Sequence, residues 1–286
     1  MRWWIAGMAG GLVLMLMWPA AFSRAGEPSA AERLKAAGSW VSYYGNGVIP
    51  ALANFDVVDI DVEDGAANYQ ADDVAALKAR GKLVVSYLNI GSAEPFRSYW
   101  ASVEAYSLGK YPGWPEFYMD VSKSGYRDVI LNSVVPQLVA KGIDGLFLDN
   151  VDAGSNLRRP AVTAGIVELV RQIHAMHPSL VLIAQSSNLR VLTERGADGR
   201  QFYQYVNGLA REEVSATYQG GYHRVPAAES DAMLRTLAAW RGKGLTVFTL
   251  DYADSPELAR YAIARSRAHG LVPYVSTKQL DQVFSW

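Results

Sequence analysis

The sequence contains no cysteine and only four histidines among its 286 residues. The absence of cysteine excludes disulfides, thiolate zinc sites and iron–sulfur clusters. None of the histidines forms the H-E-x-x-H pair that is typical of zinc hydrolases. We therefore predict a protein that uses neither a metal nor a cofactor.

Neither sign of charge is in excess, because 27 Lys and Arg residues balance 28 Asp and Glu residues. The basic residues are scattered and form no stripe that could neutralise a phosphate backbone. This distribution argues against nucleic acid as a partner. Tyrosine and tryptophan are abundant, with 16 and 8 residues, which suits a protein that holds sugars on aromatic faces.

Residues 1–25 have the order of a secretory signal peptide. Arg2 gives a basic start, residues 3–22 carry no charge, and small residues occupy positions 23 and 25. A retained membrane anchor is the alternative, but the apolar run is barely long enough to span a bilayer and contains Gly and Pro. We predict cleavage after residue 25, no membrane anchor afterwards, and a secreted or periplasmic monomer.

In the rest of the chain, short β-branched runs alternate with helical stretches. Strands are predicted at residues 40–45, 57–62, 83–90, 145–151, 180–185, 205–212, 245–251 and 272–276. Helices are predicted at residues 71–80, 125–141, 161–177, 229–241 and 256–269. Strands joined by helical crossovers pair in parallel, which predicts an α/β fold with a single TIM-like (β/α)8 barrel. We assign residues 26–38 to a short tether and the start of the mature chain, and residues 39–286 to the barrel.

Acidic residues end several of these strands, where the functional residues of such barrels collect. Because side chains alternate along a strand, Asp61, Asp149 and Glu212 are predicted to point into the barrel from the second, fourth and sixth strands. In the seventh strand, Phe248 is assigned to the side that faces the helices, which turns Asp251 inward. These acids predict a polar cleft at the carboxyl ends of the strands.

Two carboxylates that flank one bond are the requirement of glycoside hydrolysis. Parallel strands lie roughly 5 Å apart, so acids on nearby strands can reach such a geometry. Two alternatives stay open at this point. Asp149 could cap the helix that follows it, and Glu213 competes with Glu212 for the inward position.

Six phrases between residues 40 and 274 together resemble one family. They are WVSYYG, VVDIDVED, LVVSYLNIGSAEPFRSYW, GWPEFYMDVSKSGYRD, KGIDGLFLDNVD and VNGLAREEV. The family that they resemble is glycoside-hydrolase family 114, the endo-α-1,4-polygalactosaminidase-like barrels. The resemblance implies a retaining reaction with Asp149 as the nucleophile and Glu212 as the acid/base, on a polysaccharide that contains galactosamine.

Around this pair we expect two kinds of substrate contact. Carboxylates would hold hydroxyl or amino groups of the sugar, and aromatic rings would supply a stacking surface. The carboxylates are Asp61, Glu94, Asp152 and Asp251, and the rings are Tyr43, Tyr87, Trp114 and Tyr252. The long segment at residues 94–118 follows the third strand and is predicted to lie over the active face.

Two other functions fit the same pattern. A non-catalytic envelope protein could bind polysaccharide on the barrel, with the inward acids acting as ligands only. A metal-dependent polysaccharide deacetylase could use the acids to hold a cation, although the scarcity of histidine argues against it.

Overall fold

The computed structural model describes Gly26 and residues 28–286. Eight parallel strands surround one axis, and each pairs with the next along the chain. They are β1 (Trp40–Tyr43), β2 (Val57–Ile60), β3 (Leu83–Asn89), β4 (Gly145–Asp149), β5 (Val181–Gln185), β6 (Gly208–Glu212), β7 (Thr246–Tyr252) and β8 (Val272–Ser276). The Cα atoms of β8 come within 8 Å of those of β1. This topology confirms the predicted (β/α)8 barrel, whereas the predicted signal peptide lies outside the described residues.

Helices pack on the outside of the barrel, where their apolar stripes cover the strands. The longer ones are Ala30–Ala36, Ala71–Lys78, Pro160–Met176, Ala227–Gly242 and Pro256–Ala268. In the helix Pro160–Met176, Ile166, Val170 and Ile173 recur at the spacing of one helix face and are buried. None of the helices in the described part of the chain has the length and hydrophobicity that crossing a membrane requires.

One predicted helix is divided in the structure. Residues 125–141 form the helices Ser124–Val129 and Val135–Ala140, which are separated by a π-helical stretch, Ile130–Val134. Pro136 is the second residue of the helix Val135–Ala140 and has no N–H to donate to the preceding turn. The π-helical stretch thus lies directly before a residue that cannot continue the regular hydrogen-bond pattern, and the three stretches follow one another without a loop.

Connections at the carboxyl ends of the strands carry small structures that the sequence pattern does not predict. After β3, an antiparallel sheet joins Ser92–Ala93, Phe117–Met119 and Ser107–Lys110. After β6, a hairpin joins Ala216–Thr217 and His223–Arg224. Single turns of helix complete the other loops, at Ile49–Leu52, Trp100–Val103, Glu104–Tyr106, Ala153–Asn156, Leu189–Thr193 and Phe202–Gln204. Near the amino terminus, the segment predicted to be a tether contains the helix Ala30–Ala36, which is capped by Ser29.

Aromatic rings fill the lower part of the barrel interior. The ring of Trp40 lies 6.0 Å from that of Phe147, 5.0 Å from that of Phe248 and 6.3 Å from that of Tyr274. These residues come from four strands, and they are buried. The packed rings close the amino end of the barrel, so that open space remains at the carboxyl ends of the strands.

Candidate active site

A cavity of about 560 Å³ lies at the carboxyl ends of the strands. Six acidic residues line it, together with the basic residues Arg97 and Lys278. The acids are Asp61, Glu94, Glu116, Asp149, Asp152 and Glu212. Aromatic rings form much of the remaining wall and include Tyr44, Tyr87, Tyr111, Trp114, Tyr218 and Tyr252. Acids set among aromatic rings suit the binding of a polar, cationic sugar.

Asp149 ends β4 and points into this cavity. The hydroxyl of Tyr87 donates a hydrogen bond to Asp149 Oδ2 at 2.8 Å, and the backbone N–H of Asn150 donates to Oδ1 at 2.7 Å. Asn150 has a φ of 54°, a left-handed conformation that Asn adopts more readily than most residues. Its side chain in turn donates to Asn89 Oδ1 at 3.2 Å and to Ser92 Oγ at 2.9 Å. Each oxygen of the Asp149 carboxylate therefore accepts a hydrogen bond, and the two bonds hold the group in one orientation.

The electrostatics of Asp149 depend on a second acid. Burial and, after it, the charge of Glu212 raise the pKa of Asp149 to about 7, against the hydrogen bonds from Tyr87 and Asn150. The pKa of Glu212 is also raised, mainly by burial, while Tyr252 and Gln185 oppose the shift. Like charges that lie close together disfavour double ionisation, so the neighbouring charge acts on Asp149 in the same direction as burial.

The structure separates Glu212 from its neighbour Glu213. Glu212 lines the cavity from the end of β6. Glu213 has a φ of 53°, and its carboxylate accepts hydrogen bonds from the hydroxyl of Thr217 and the side-chain amide of Gln219. Glu213 is thereby bound to the hairpin after β6 and does not line the cavity. The position facing Asp149 belongs to Glu212.

The spacing of Asp149 and Glu212 follows from the barrel. Their strands, β4 and β6, are separated only by β5, so their backbones lie roughly 10 Å apart. Both side chains point toward the axis, which shortens the gap between the carboxyls. Gln185, at the end of β5, lines the cavity between them.

Two of the acids, Asp61 and Glu94, share one buried cation. Arg97 Nη1 lies 2.6 Å from Asp61 Oδ2, and Arg97 Nη2 lies 2.8 Å from Glu94 Oε1. Glu63 lies farther from the same guanidinium, at 3.8 Å. Arg97 therefore neutralises much of the negative charge on this wall of the cavity, and its own pKa is raised by these hydrogen bonds and charges.

Asp152 and Trp114 lie at other points of the cavity wall. The backbone N–H of Asn188 donates to Asp152 Oδ2 at 2.6 Å, and the side chain of Asn156 donates to Oδ1 at 3.3 Å. Trp114 is 42% exposed, and the ammonium of Lys278 lies 5.0 Å from the centre of its ring. Asp152 is thus held by a loop, whereas Trp114 presents an accessible aromatic face.

Two of the predicted contact residues do not line the cavity. Tyr43 follows the inward-facing Ser42, so its side chain lies on the other side of β1, where its hydroxyl donates to the backbone carbonyl of Asn46. Tyr44, the next residue, lines the cavity.

The predicted orientation of the β7 side chains is wrong. Phe248 packs against Trp40 inside the barrel, and Asp251 faces outward, where it accepts hydrogen bonds from the backbone N–H groups of the hairpin after β6.

Residues that the sequence pattern did not single out complete the site. Tyr44 donates to the buried Asp59 at 2.7 Å, and its ring centre lies 4.9 Å from that of Tyr87. Glu116 reaches the cavity from the segment after β3 and accepts a hydrogen bond from Asn89 Nδ2 at 2.6 Å. The phrase GWPEF contains Glu116 next to Trp114 and Pro115, and this was the available signal.

No group of three or more acidic or histidine side chains in the described chain has the arrangement to hold a metal ion. Five of the six acids of the cavity, all except Glu212, accept hydrogen bonds from amide, hydroxyl or guanidinium donors. Carboxyl side chains of this kind can transfer a proton and attack a carbon atom.

Comparisons with known proteins agree with the barrel fold. The model of glycoside-hydrolase family GH114 matches residues 21–286. An uncharacterized protein of Deinococcus radiodurans is 29% identical over 273 residues, which cover 90% of this chain and 85% of that protein.

Two solved structures are similar over most of the chain. The glycoside hydrolase domain of PelA from Pseudomonas aeruginosa has a TM-score of 0.71 and 27% identity, over 86% of this chain and 97% of that domain. Ega3 from Aspergillus fumigatus, solved in complex with galactosamine, has a TM-score of 0.67 and 17% identity, over 93% of this chain and 100% of Ega3. At its lower identity, the similarity to Ega3 concerns the fold alone.

Proposed function

We propose that this chain, which belongs to glycoside-hydrolase family GH114, cleaves the α-linkages of an amino-sugar polysaccharide by a retaining mechanism. As a GH114 member it is a glycosidase. The observation that carries the proposal is the meeting of two half-buried carboxyls, Asp149 and Glu212, in one cavity where the charge of Glu212 raises the pKa of Asp149. Such a pair is what glycosidic cleavage requires.

In the proposed reaction, Glu212 starts protonated and Asp149 starts ionised. Asp149 accepts hydrogen bonds from Tyr87 and Asn150, which favour its ionised form. Glu212 donates its proton to the oxygen of the leaving sugar as the glycosidic bond breaks, while an oxygen of Asp149 attacks the anomeric carbon. The product of this step is a glycosyl ester on Asp149, with Glu212 left as a carboxylate.

The second step releases the sugar from the enzyme. The Glu212 carboxylate takes a proton from water, the water oxygen attacks the anomeric carbon, and the ester bond to Asp149 breaks. Both residues return to their starting protonation states, so the cycle needs no other reactant. Two displacements on one carbon leave its configuration unchanged.

The cavity favours a cationic sugar as the substrate. Its acids outnumber its bases, and it is lined by several tyrosines and by Trp114. Galactosamine with a free amino group is cationic at neutral pH, and it is the sugar present in the complex of Ega3. We therefore take an α-1,4-linked polymer that contains galactosamine as the first substrate to test.

The test compares purified wild-type protein with Asp149→Asn and Glu212→Gln on this polymer, with products read by mass spectrometry. We expect oligosaccharides from the wild type and a loss of about 10³-fold or more in each variant. Glu213→Gln is the matched control, because Glu213 is bound to the hairpin outside the cavity, and it should retain turnover. NMR of fresh products should show the α-anomer first.

Several results would contradict parts of this proposal. Substantial turnover by Asp149→Asn or Glu212→Gln would remove that residue from its role. Release of the β-anomer would exclude the retaining route. Wild-type protein that binds the polymer without cleaving it would favour a binding function instead.

We propose further that residues 1–25 direct export, so that the enzyme meets its polymer outside the cytoplasm. The support is the basic start, the uncharged run and the small residues at positions 23 and 25. Sequencing the amino terminus of the protein recovered from the periplasm and the medium tests it. A retained residue 1 in those fractions would contradict cleavage.

A further inference from the structure

We propose that Asp251 is a positioning residue for the acid/base: from the outer face of β7 it holds the chain that follows Glu212, and it thereby fixes Glu212 and Tyr218 in the cavity wall. The inference rests on the proposed function, because it takes Glu212 as the group that protonates the leaving sugar. Its basis is a buried carboxylate whose hydrogen-bond donors are backbone amides of the hairpin after β6.

Asp251 is completely buried and binds the chain a few residues after Glu212. Its exposed fraction is 0%. Oδ1 accepts hydrogen bonds from the backbone N–H of Ser215 at 2.6 Å and from that of Ala216 at 2.9 Å. The side chain of Asp251 thus joins β7 to the third and fourth residues after Glu212.

The chain after Glu212 leaves the barrel sheet and needs acceptors of this kind. β6 ends at Glu212, and the next residue turns away with a φ of 53°. The amides of Ser215 and Ala216 lie beyond the parallel ladder of β6 and β7. Both residues are buried, and a buried N–H without an acceptor is costly. The Asp251 carboxylate supplies the acceptor and so determines the path of the chain after the strand.

β7 connects this contact to the cavity, because Asp251 and Tyr252 lie on its opposite faces. Tyr252 lines the cavity, and its side chain opposes the rise in the pKa of Glu212. The ring centre of Tyr252 lies 5.0 Å from that of Tyr218, which lines the cavity from the hairpin. Two neighbouring residues of β7 therefore hold the hairpin, one from outside the barrel and one from inside.

The charge of Asp251 is compensated by the hairpin amides. In the described part of the chain, no Lys, Arg or His nitrogen lies within 4.0 Å of its carboxyl oxygens. Burial raises the pKa of Asp251 to about 6, against the hydrogen bonds from the backbone N–H groups of Ser215, Ala216 and Val214. A buried acid without a cation destabilises the fold unless it is hydrogen-bonded. What Asp251 contributes at this position is its charge-assisted bonds to the hairpin.

Proton transfer makes the position of Glu212 critical. A general acid must lie within about 2.6–3.2 Å of the oxygen that it protonates, and a misplacement of about 1 Å caused by a remote change can cost about 100-fold in rate. Glu212 is the last residue of its strand, so the ladder holds the chain on one side of it only. Asp251 holds the chain on the other side.

The experiment compares two leaving groups. One substrate is an α-1,4-linked galactosamine oligosaccharide, in which the leaving sugar must be protonated. The other is a 2,4-dinitrophenyl α-glycoside of galactosamine, whose leaving group departs as its anion without a proton. For Asp251→Ala, we expect kcat/KM to fall by about 10- to 100-fold on the oligosaccharide and by less than about threefold on the dinitrophenyl glycoside. Asp251→Asn keeps an acceptor at Oδ1 and should recover most of the loss.

Thr249→Val is the matched control. Thr249 lies on the same face of β7, is as buried as Asp251, and donates from its hydroxyl to Ser266 at 2.8 Å. The variant loses a buried hydrogen bond without changing the contact to the hairpin. The ratio of its two kcat/KM values should stay that of the wild type, whatever its melting temperature.

Hydrogen exchange of the wild type gives a readout that needs no variant. The amides of Ser215 and Ala216 should exchange far more slowly than that of Gly220, which is exposed at the tip of the hairpin. If Asp251→Ala does not fold, Asp251→Ser takes its place, because its shorter side chain moves the acceptor away from both amides.

The outcomes separate this inference from the proposed function. An equal loss on both substrates in Asp251→Ala would show a general structural role, and wild-type cleavage of the oligosaccharide would show that Glu212 keeps its place without Asp251. Rapid exchange of the Ser215 and Ala216 amides in the wild type would also overturn the inference. Wild-type protein that cleaves neither substrate would contradict the proposed function itself.

Discussion

Replacing Tyr87 by Phe should shift the pH dependence of the enzyme by a predictable amount. The hydroxyl of Tyr87 donates to Asp149 Oδ2 at 2.8 Å and stabilises its ionised form. A hydrogen bond to a charged group contributes about 1.5–3 kcal/mol, and one pKa unit corresponds to about 1.4 kcal/mol. Loss of the hydroxyl should therefore raise the pKa of Asp149 by about one to two units.

The sign of the effect follows from the role of Asp149. A nucleophile must be ionised, so activity is lost as the pH falls through its pKa. From a starting pKa of about 7, the ionised fraction of Asp149 at pH 7 should fall from about a half to between a tenth and a hundredth. We expect kcat/KM at pH 7 to fall by about 5- to 50-fold, and the difference from the wild type to shrink as the pH rises.

The assay is kcat/KM against pH, from about pH 5 to about pH 9, for the wild type and Tyr87→Phe. Tyr44→Phe is the matched control, since its ring lies beside that of Tyr87 but its hydroxyl donates to Asp59. The control should keep the acid-side limb of the wild type, whatever its absolute rate. A ratio of wild type to Tyr87→Phe that is constant across the pH range would refute the reasoning. It would mean that Tyr87 acts on the substrate and not on Asp149.

Two further predictions concern stability. Gly91→Ala should lower the free energy of unfolding, measured in urea, by about 1–3 kcal/mol and should also lower activity. The reason is that the added Cβ would overlap the backbone carbonyl of Asn150 and displace the residue next to Asp149. A variant with the stability of the wild type would show that the loop can move to accept the added methyl group. The melting temperature should fall as the pH rises from about 5 to about 8. The folded-state pKa values of Asp149 and Glu116 are raised from 3.8 to about 7 and from 4.5 to about 8, so the stability present at low pH is lost through this window. Glu116→Gln should flatten the profile, and a melting temperature that rises with pH would contradict both shifts.

The inward direction of Asp149 and Glu212 could be predicted from alternation because their strands give a clear signal. In β4, Leu146 and Leu148 cover the outer face, and Asp149 has the opposite parity. The remaining ambiguity between Glu212 and Glu213 was resolved by the backbone. The left-handed conformation of Glu213 ends the strand and turns its side chain toward Thr217.

Alternation failed for β7 because both faces of a barrel strand are buried. Phe248 is as apolar as a residue that faces a helix, yet it packs against Trp40 on the barrel axis. Thr249 lies on the outer face despite its hydroxyl, which donates to Ser266 of the last long helix. In this strand the interior face carries an aromatic cluster and the helix-facing side carries a buried hydroxyl pair. The polarity of a residue therefore does not tell which of the two faces it occupies.

The sequence by itself determined the barrel and the inward direction of Asp149 and Glu212. Both follow from local periodicity and from the rule that the carboxyl ends of all the parallel strands lie at the same end of the barrel. Only the tertiary structure decided the charge of the cavity. Arg97 neutralises Asp61, which lies 36 residues away. Glu116 reaches the cavity from a loop that has no periodic sequence pattern. Such contacts join distant segments through the three-dimensional course of the chain, and each changes the electrostatics of a group whose position was already predictable.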